Sequence, residues 1–368
     1  MIELLIDGLK LLGVNPGAFR IVDYITFRVV MAALTALVIE LVFGHALIVR
    51  LYRRRFRDTG GEFSSLDQHS KRGTPTGGGL IILLAVAIAI ALWGRLTNYH
   101  LLVVGAAFGY FGLVGFIDDF QKVRLKSSLF GLSQLAKTVL QLAFIVPYAL
   151  WFVSGVNILP KTHHTQVFVP FVKNALFDAG PLLFALFIVF VFFSIVNAVN
   201  ITDGLDGLVC GPAIMTTLIY GIFAYVLGNV ILSRYLLFPS FPGVGELAVF
   251  AGALIGALFG FLWYNAYPAE VFMGDTGSMA IGAALATLAF QTRQEMLFPL
   301  VGGVFVASIA TSLIQEKLGM RFGRRIFLRA PLHHAQTYKG VAEPKVVTRT
   351  WIVAIMLALL AALSLKLR

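Results

Sequence analysis

The sequence predicts an all-α integral membrane protein that crosses the bilayer about ten times. Of its 368 residues, 58% are hydrophobic and only 13% are charged, and the mean hydropathy is +0.87. This composition is far more apolar than that of a soluble globular chain. Many separate apolar runs approach the ~20 residues that a helix needs to cross the hydrocarbon core. Because backbone polar groups in lipid need internal partners, these runs must be helical.

The predicted elements follow in chain order within one transmembrane domain over residues 1–368. The opening MIELLIDGLKLLG has neither a basic start nor a small-residue cleavage site, so we expect an interfacial helix over residues 1–20 rather than a signal peptide. Ten predicted spans then cover residues 24–49, 77–93, 101–117, 133–153, 182–199, 208–227, 247–264, 277–292, 296–314 and 350–365. Cys210 is the single cysteine, which excludes an internal disulfide.

The net charge is +11, and the basic residues are concentrated in the linkers after the first, third and ninth predicted spans. They are Arg50, Arg53, Arg54, Arg55, Arg57, Lys71, Arg72, Lys122, Arg124, Lys126, Lys317, Arg321, Arg324, Arg325, Arg329, Lys339, Lys345 and Arg349. Since Lys and Arg favour the cytoplasmic side, this pattern predicts that both termini lie outside. It also predicts an extracytoplasmic loop at 154–180 and a cytoplasmic loop at 316–349. Attraction of an anionic substrate or lipid head group is a second role for these charges.

The aspartates of three motifs fall on the same predicted side. They are Asp118 and Asp119 in GFIDDFQK, Asp203 and Asp206 in NAVNITDGLDGL, and Asp275 in FMGDTGS. Ionisable groups at membrane depth are costly, so their convergence at one leaflet favours function over packing. Five neighbouring carboxylates repel one another unless a cation joins them. Oxygen ligands without a Cys cluster indicate Mg²⁺ or Mn²⁺. Magnesium is usually bound with substrate phosphates and one or two protein carboxylates, so the five cannot all be ligands.

Each motif also has a plainer interpretation. An adjacent Asp pair can simply be a solvated helix end, and FMGDTGS can be a Gly-rich turn, although a helix N-terminus also suits metal-bound phosphate. The stretch NAVNITDGLDGL is harder to explain structurally. Its Asn197, Asn200, Asp203 and Asp206 recur every third residue, which gathers them on one side of a helical turn.

Two further stretches belong to the same predicted face. In SKRGTPTGGG, Lys71 and Arg72 precede exposed backbone N–H groups that suit a phosphate, with a flexible basic loop as the alternative. In APLHHAQTYKG, His333 and His334 can bind phosphate, transfer protons or ligate metal. Two histidines in a polar loop are also often incidental.

Taken together, these motifs resemble the phospho-N-acetylmuramoyl-pentapeptide-transferase family, within the polyprenyl-phosphate N-acetylhexosamine-1-phosphate transferase superfamily. The resemblance extends from about residue 24 to the C-terminus, and ten spans with both ends outside are that family's architecture. KRGTPT, NAVNITDGLDGL and PLHH followed by Glu343 and Pro344 favour the pentapeptide branch. The chain departs from the family pattern at Ala335, where a third histidine is usual, and at Gly77, where methionine is usual.

The resemblance implies a Mg²⁺-dependent enzyme of the bacterial inner membrane, with Mn²⁺ as an alternative ion. Such an enzyme transfers phospho-MurNAc-pentapeptide from UDP-MurNAc-pentapeptide to undecaprenyl phosphate, giving lipid I and UMP. This is the first membrane step of peptidoglycan synthesis. The family also suggests a homodimer, and we expect no nucleic acid partner. Two alternatives are a sister transferase that moves N-acetylglucosamine phosphate and a lipid-linked sugar flippase. A flippase would spread polar residues through the depth of its spans.

The resemblance further implies roles for individual residues. Asp275 would hold the metal, with Asp118 and Asp119 as further candidate ligands. Asp118 is the candidate base on the lipid phosphate, and single or double displacement both remain open. The other catalytic candidates are Asp119, His333, Lys71, Lys122 and Lys137. The candidate substrate-binding residues are Asn197, Asn200, Asp203, Asp206, Asn265, Phe272, Thr74, Gln315 and His334.

Overall fold

The computed structural model describes residues 21–54, 56, 73–125, 131–155, 164–319, 321, 323 and 326–367. In chain order its helices are α1 (Ile25–Arg53), α2 (Gly79–Trp93), α3 (Tyr99–Arg124), α4 (Gln134–Val153), α5 (Gly180–Thr202), α6 (Cys210–Leu227), α7 (Val230–Tyr235), α8 (Glu246–Asn265), α9 (Gly274–Gln291), α10 (Phe298–Val301), α11 (Gly303–Leu313), α12 (Leu332–Tyr338) and α13 (Glu343–Leu363). Strands β1 (Gln166–Val167) and β2 (Phe177–Asp178) pair antiparallel. The predicted interfacial helix over residues 1–20 lies outside the described residues.

The apolar helices confirm an all-α protein with several membrane spans. Within the described ranges, seven helices are long and apolar enough to cross a bilayer, namely α1, α3, α4, α5, α6, α8 and α13. Helices also occupy the other predicted spans. α2 is apolar but only 15 residues long, and every residue of α9 from Thr276 to Gln291 is buried inside the bundle. The number ten stays a prediction.

The ninth predicted span differs most from its expectation. The structure divides it into the segments Glu295–Val301 and Gly303–Gly319, which are bent by 83° relative to each other. Gly302 occupies the break, and glycine disfavours a continuous helix because it lacks a side chain and has high backbone freedom. Counted as one span, the pair would raise the number of candidate spans to eight.

Small residues allow the inner helices to approach closely, as is common in membrane bundles. A Cβ on Gly256 of α8 would lie 2.0 Å from Ala33 O on α1. Likewise, a Cβ on Gly282 of α9 would lie 2.7 Å from Val196 Cα on α5. α8 and α9 are therefore at the centre of the bundle, where larger side chains would separate the backbones.

The chain direction brings the sequence motifs to one end of the bundle, which we call the aspartate end. α3, α5 and α8 finish there, whereas α2, α4, α6 and α9 begin there. The glycines fix this arrangement, because a Cβ on Gly79 would lie 2.1 Å from Gly277 N and one on Gly115 would lie 2.2 Å from Asp275 O. The start of α9 is thus wedged between α2 and α3.

A buried ion pair ties the helices together at the far end. The two terminal guanidinium nitrogens of Arg28 on α1 contact the Glu246 carboxylate of α8 at 2.7 and 2.5 Å. Arg28 also donates to Trp93 O at the end of α2, at 3.2 Å. Both side chains of the pair are almost fully buried, so the charges depend on each other for their stabilisation.

Candidate active site

Three carboxylates meet at the aspartate end. Asp118 and Asp119 are buried on the last turns of α3, and Asp275 lies in the first turn of α9. One oxygen from each of the three residues can be chosen so that all lie within 4.8 Å of one another. An oxygen set of this kind could hold a metal ion, and it suits a hard divalent cation.

Asp119 holds the N-terminus of α9. Its Oδ1 accepts from Asp275 N at 3.1 Å, and its Oδ2 accepts from Thr276 N at 2.9 Å and Thr276 Oγ1 at 2.6 Å. A carboxylate is favourable here because helix N-termini carry free N–H groups and partial positive charge. Gly274 has a φ of +72°, and a Cβ there would lie 2.5 Å from Asp119 Oδ2. Asp119 therefore positions Asp275 through the backbone.

Two lysines neutralise part of the acidic charge. Lys122 Nζ lies 2.7 Å from Asp118 Oδ2 and 3.0 Å from Asp275 Oδ2. Lys137, one turn into α4, pairs with the same Asp275 oxygen and lies 3.6 Å from Asp118 Oδ2. Charge-assisted contacts of this kind are the stronger ones in proteins. The third predicted lysine, Lys71, lies outside the described residues.

The two asparagines at the end of α5 have different surroundings. Asn200 Nδ2 donates to Asp275 Oδ1 at 2.8 Å and lies 2.9 Å from Ser278 Oγ, so it faces the carboxylates. Asn197, one turn earlier, donates to Gln141 Oε1 on α4 at 2.8 Å. Asn200 belongs to the aspartate cluster, whereas Asn197 joins α5 to α4.

Asp203 and Asp206 lie on the loop of residues 203–208 that connects α5 to α6, called here the aspartate loop. Loss of hydration inside the protein raises the pKa of Asp203 to about 8. The nearby carboxylates of Asp275, Asp119 and Asp206 raise this pKa further. Burial disfavours an ionised carboxyl, and like charges act in the same direction. Asp203 is therefore ionised less readily than an ordinary aspartate.

Backbone and side-chain hydrogen bonds fix the rest of the aspartate loop. Asp206 Oδ2 accepts from Ala269 N at 3.1 Å, and Asp206 N donates to Glu343 Oε1 at 2.8 Å. Gly207 adopts a φ of +74°, and its N–H donates to Asn265 Oδ1 at 2.9 Å. The loop is thus held from α8, from the segment that follows α8, and from the start of α13.

The segment that follows α8 places Phe272 beside the Gly-rich entry to α2. The side-chain amide of Asn265 donates to Val271 O at 2.9 Å. Phe272 N donates to Pro75 O at 2.8 Å, next to Thr74. The side chain of Phe272 is half-buried, so part of its ring remains accessible. The oxygen and the nitrogen of the Asn265 side-chain amide are therefore both hydrogen-bonded to the backbone of neighbouring loops.

The histidine pair packs against the aspartate loop. The rings of His333 and His334 lie 4.5 Å apart, and a Cβ on Gly204 would lie 2.6 Å from His333 Nε2 and 3.0 Å from His334 Nε2. Burial, together with the charge of His334, lowers the pKa of His333 to about 3. His333 is therefore neutral, and its Nε2 has no hydrogen-bond partner among the described residues.

Gln315 supports the segment before the histidines. Its Oε1 accepts from Ile326 N at 3.1 Å and from Phe327 N at 2.9 Å. Beside His333, a cavity of about 560 Å³ lies among α5, α11, α12 and α13. Its wall combines apolar helix faces with the polar side chains of Ser308, Gln336, Lys339 and Arg349.

Several residues of the site were not predicted from the sequence. Thr276 and Gln141 adjoin predicted residues, since Thr276 follows Asp275 and Gln141 lies one helical turn after Lys137. Glu343 was noted only as part of a motif. Trp351, whose Nε1 donates to Gly207 O at 3.2 Å, gives no signal in the sequence, because a tryptophan near a helix start is common in membrane proteins.

Comparison with known proteins agrees with this geometry. The model of the glycosyl transferase family 4 matches residues 100–293, which include all three clustered aspartates. The phospho-N-acetylmuramoyl-pentapeptide-transferase of Desulfosudis oleivorans is 44% identical over 351 residues, covering 95% of this chain and 96% of the relative. The proteins of that name from Syntrophus aciditrophicus and Maridesulfovibrio salexigens are 44% and 42% identical, over 95% and 97% of this chain and 96% and 98% of their own lengths. The chain therefore belongs to the phospho-N-acetylmuramoyl-pentapeptide-transferase family.

Proposed function

We propose that this protein transfers phospho-MurNAc-pentapeptide from UDP-MurNAc-pentapeptide to undecaprenyl phosphate, with UMP and lipid I as products. The observation that carries the proposal is the aspartate cluster with its two lysines, in a chain of this family. Phosphoryl transfer requires alignment of anionic groups and stabilisation of the charge spread over phosphate oxygens. Lys122 and Lys137 supply positive charge beside Asp275, which is where such a reaction needs it.

The carboxylates of Asp275, Asp118 and Asp119 would hold Mg²⁺, with Mn²⁺ as an alternative. The fit rests on the oxygen-only donor set and on the 4.8 Å limit within which the three ligand atoms lie. Magnesium, when bound, stabilises the negative charge of the diphosphate and of the departing UMP. Asn200 keeps Asp275 oriented toward the cluster.

We favour a single displacement. In this reaction an oxygen of the lipid phosphate attacks the phosphorus attached to the sugar, and the bond from that phosphorus to the UMP oxygen breaks. Asp118 is the candidate base, although a phosphate monoester with a second pKa near ~6 is already largely a dianion at neutral pH. Lys71 would add a third positive charge. The alternative is a double displacement through an aspartyl intermediate.

The nucleotide is assigned to the aspartate loop and its surroundings. Phe272 is the candidate for stacking on uracil, because its ring is partly accessible and aromatic faces stack on bases. Asn265 acts through the loops that it holds. The further proposed contacts with the donor substrate are those of Thr74, Asn197, Asn200, Asp203, Asp206, Gln315 and His334, and His333 remains a candidate catalytic residue.

We also propose that the aspartate end faces the cytosol of a bacterial inner membrane, with ten spans, both termini outside and a homodimeric assembly. The basic residues support this orientation, since Arg50 and Arg53 end α1 and Lys122 and Arg124 end α3 at the aspartate end. Basic residues accumulate on the cytoplasmic side of membrane proteins. The donor substrate is cytosolic and anionic, so it would meet the site from that side.

The decisive experiment incubates the purified protein with undecaprenyl phosphate and either UDP-MurNAc-pentapeptide or UDP-N-acetylglucosamine. The lipid product and UMP are identified by mass spectrometry, with and without Mg²⁺. We expect lipid I only from the first donor and no product after chelation by EDTA. A lipid product from UDP-N-acetylglucosamine alone would assign the sister activity. If neither donor gives a product, the catalytic proposal fails.

A further inference from the structure

The N-terminus of α13 is hydrogen-bonded to the aspartate loop, although the two are far apart in the sequence. Glu343 is the first residue of α13, and its Oε1 accepts from Asp206 N at 2.8 Å. The two residues are 137 positions apart in the sequence. A carboxylate that accepts from a backbone N–H forms a charge-assisted hydrogen bond, which is stronger than a neutral one.

Two helical turns further along α13, Trp351 makes a second contact with the same loop. Its Nε1 donates to Gly207 O at 3.2 Å. The indole also packs tightly on the start of α6, because a Cβ on Gly211 would lie 2.4 Å from the Trp351 ring. α13 therefore contacts both the backbone of the loop and the helix that follows it.

These contacts add to the hydrogen bonds that hold the loop from α8. α8 and the segment after it hold Gly207 N and the Asp206 carboxylate, whereas α13 holds Asp206 N and Gly207 O. Asp206 and Gly207 are both buried. Since a buried backbone group without a partner is costly, removal of either α13 contact favours a different loop conformation.

We infer that Glu343, assisted by Trp351, is a positioning residue that sets the conformation of the aspartate loop for binding of the nucleotide. The inference rests on the proposed function, because it assigns the uridine nucleotide to this loop. Glu343 acts as a hydrogen-bond acceptor here, a role that the Oε1 of a glutamine can also fill.

The test uses the full-length protein in detergent with Glu343→Ala, Glu343→Gln, Trp351→Phe and the control Thr348→Ala. Thr348 is exposed on the same helix, and its hydroxyl donates to Pro344 O within that helix at 2.8 Å. The measurements are the Kd of UMP by calorimetry, the KM of each substrate, and thermal unfolding.

For Glu343→Ala we expect the Kd of UMP and the KM of UDP-MurNAc-pentapeptide to rise about 10-fold, as the loss of one half-buried charge-assisted hydrogen bond predicts. The KM of undecaprenyl phosphate should stay within about two-fold of the parent, and Glu343→Gln should recover most of the UMP affinity. The control should match the parent.

Two results would overturn the inference while leaving the proposed function intact. One is an active Glu343→Ala protein that binds UMP as the parent does, and the other is a Glu343→Gln protein as impaired as Glu343→Ala. If Glu343→Ala does not fold, Trp351→Phe carries the test, with an expected rise in the Kd of UMP of about 3-fold. An unchanged Kd for that variant would also overturn the inference. A parent that binds no UMP and forms no lipid product would refute the proposed function as well.

Discussion

Asp275 is the residue on which the contacts of the aspartate cluster converge. Its Oδ2 meets Lys122 and Lys137, and its Oδ1 accepts from Asn200. Its backbone N–H is held by Asp119. Four side chains from α3, α4 and α5 thus fix one carboxylate, which is the preorganisation that electrostatic catalysis needs.

We expect Asp275→Asn to lower turnover by about 100-fold or more, because the variant loses the negative charge that the proposed metal site and both lysines require. Thermal unfolding in detergent should change little, since asparagine has the same shape and retains an acceptor oxygen. Asp23→Asn is the control, because Asp23 is exposed. Magnesium-dependent activity equal to that of the parent would remove Asp275 from the metal site.

The buried side chain of His333 makes the stability of the folded protein depend on pH. Its pKa is about 3 in the folded protein, below the ordinary value of 6.5. Between these values the unfolded chain binds a proton that the folded protein does not bind, so stability falls as the pH drops from about 6.5 toward 3. We expect His333→Asn to lose less thermal stability than the parent between pH 7.5 and pH 5. His45→Asn is the control, because His45 is exposed. An equal loss in His333→Asn and the parent would contradict this assignment.

At the scale of the elements, close backbone contact controls the site more than hydropathy does. α9 begins between α2 and α3 because Gly79 and Gly115 leave room for it. The position of Asp275 relative to Asp118 therefore depends on the absence of two side chains. Overpacking at such contacts forces backbones apart.

We expect Gly115→Ala to destabilise the protein by about 1 to 3 kcal/mol and to reduce turnover more than stability alone explains. The new methyl group would lie 2.2 Å from Asp275 O, so α3 and α9 must separate at the cluster. Gly109→Ala is a matched control on the same helix, because nothing lies within 4 Å of its Cβ position. Turnover and thermal unfolding are measured for both variants. Equal turnover and equal stability of the two variants would contradict the close packing of α9 between α2 and α3.

The sequence predicted much of the fold at this scale, for physical reasons. Apolar runs mark helices because lipid leaves the backbone no alternative. The bend at Gly302 was not predicted, because hydropathy does not report helix direction. The aspartate cluster was predicted from its chemistry, but the turn of Asn197 toward Gln141 was not. A period of three residues does not reveal which neighbouring helix meets each side chain.

At the scale of the whole molecule, the two ends of the bundle carry different kinds of polar contact. The aspartate end gathers charges that are partly accessible, whereas the far end holds the buried pair of Arg28 and Glu246. A buried pair gives little net stability compared with apolar residues of similar size, but an unpaired member is strongly destabilising.

We expect Arg28→Met or Glu246→Leu alone to lower stability by about 3 to 5 kcal/mol, because each removes the closest ion-pair partner of a buried charge. The double variant should recover most of that loss. Turnover per folded molecule should remain near that of the parent in every case, since the pair lies at the far end. Thermal unfolding in detergent tests the stabilities, and a double variant less stable than both single variants would contradict the interpretation.

The contacts between α13 and the aspartate loop also bear on the order of synthesis. Glu343 and Trp351 reach back across 137 and 144 positions to Asp206 and Gly207, and the histidine pair reaches back to Gly204. During translation, helices α1 to α9 emerge with all three clustered aspartates before these supports exist. A nascent chain that stops before Glu343 is therefore expected to insert in the membrane without the finished site that we propose for the nucleotide. The aspartate loop thus receives these supports late in synthesis, when α13 packs against it.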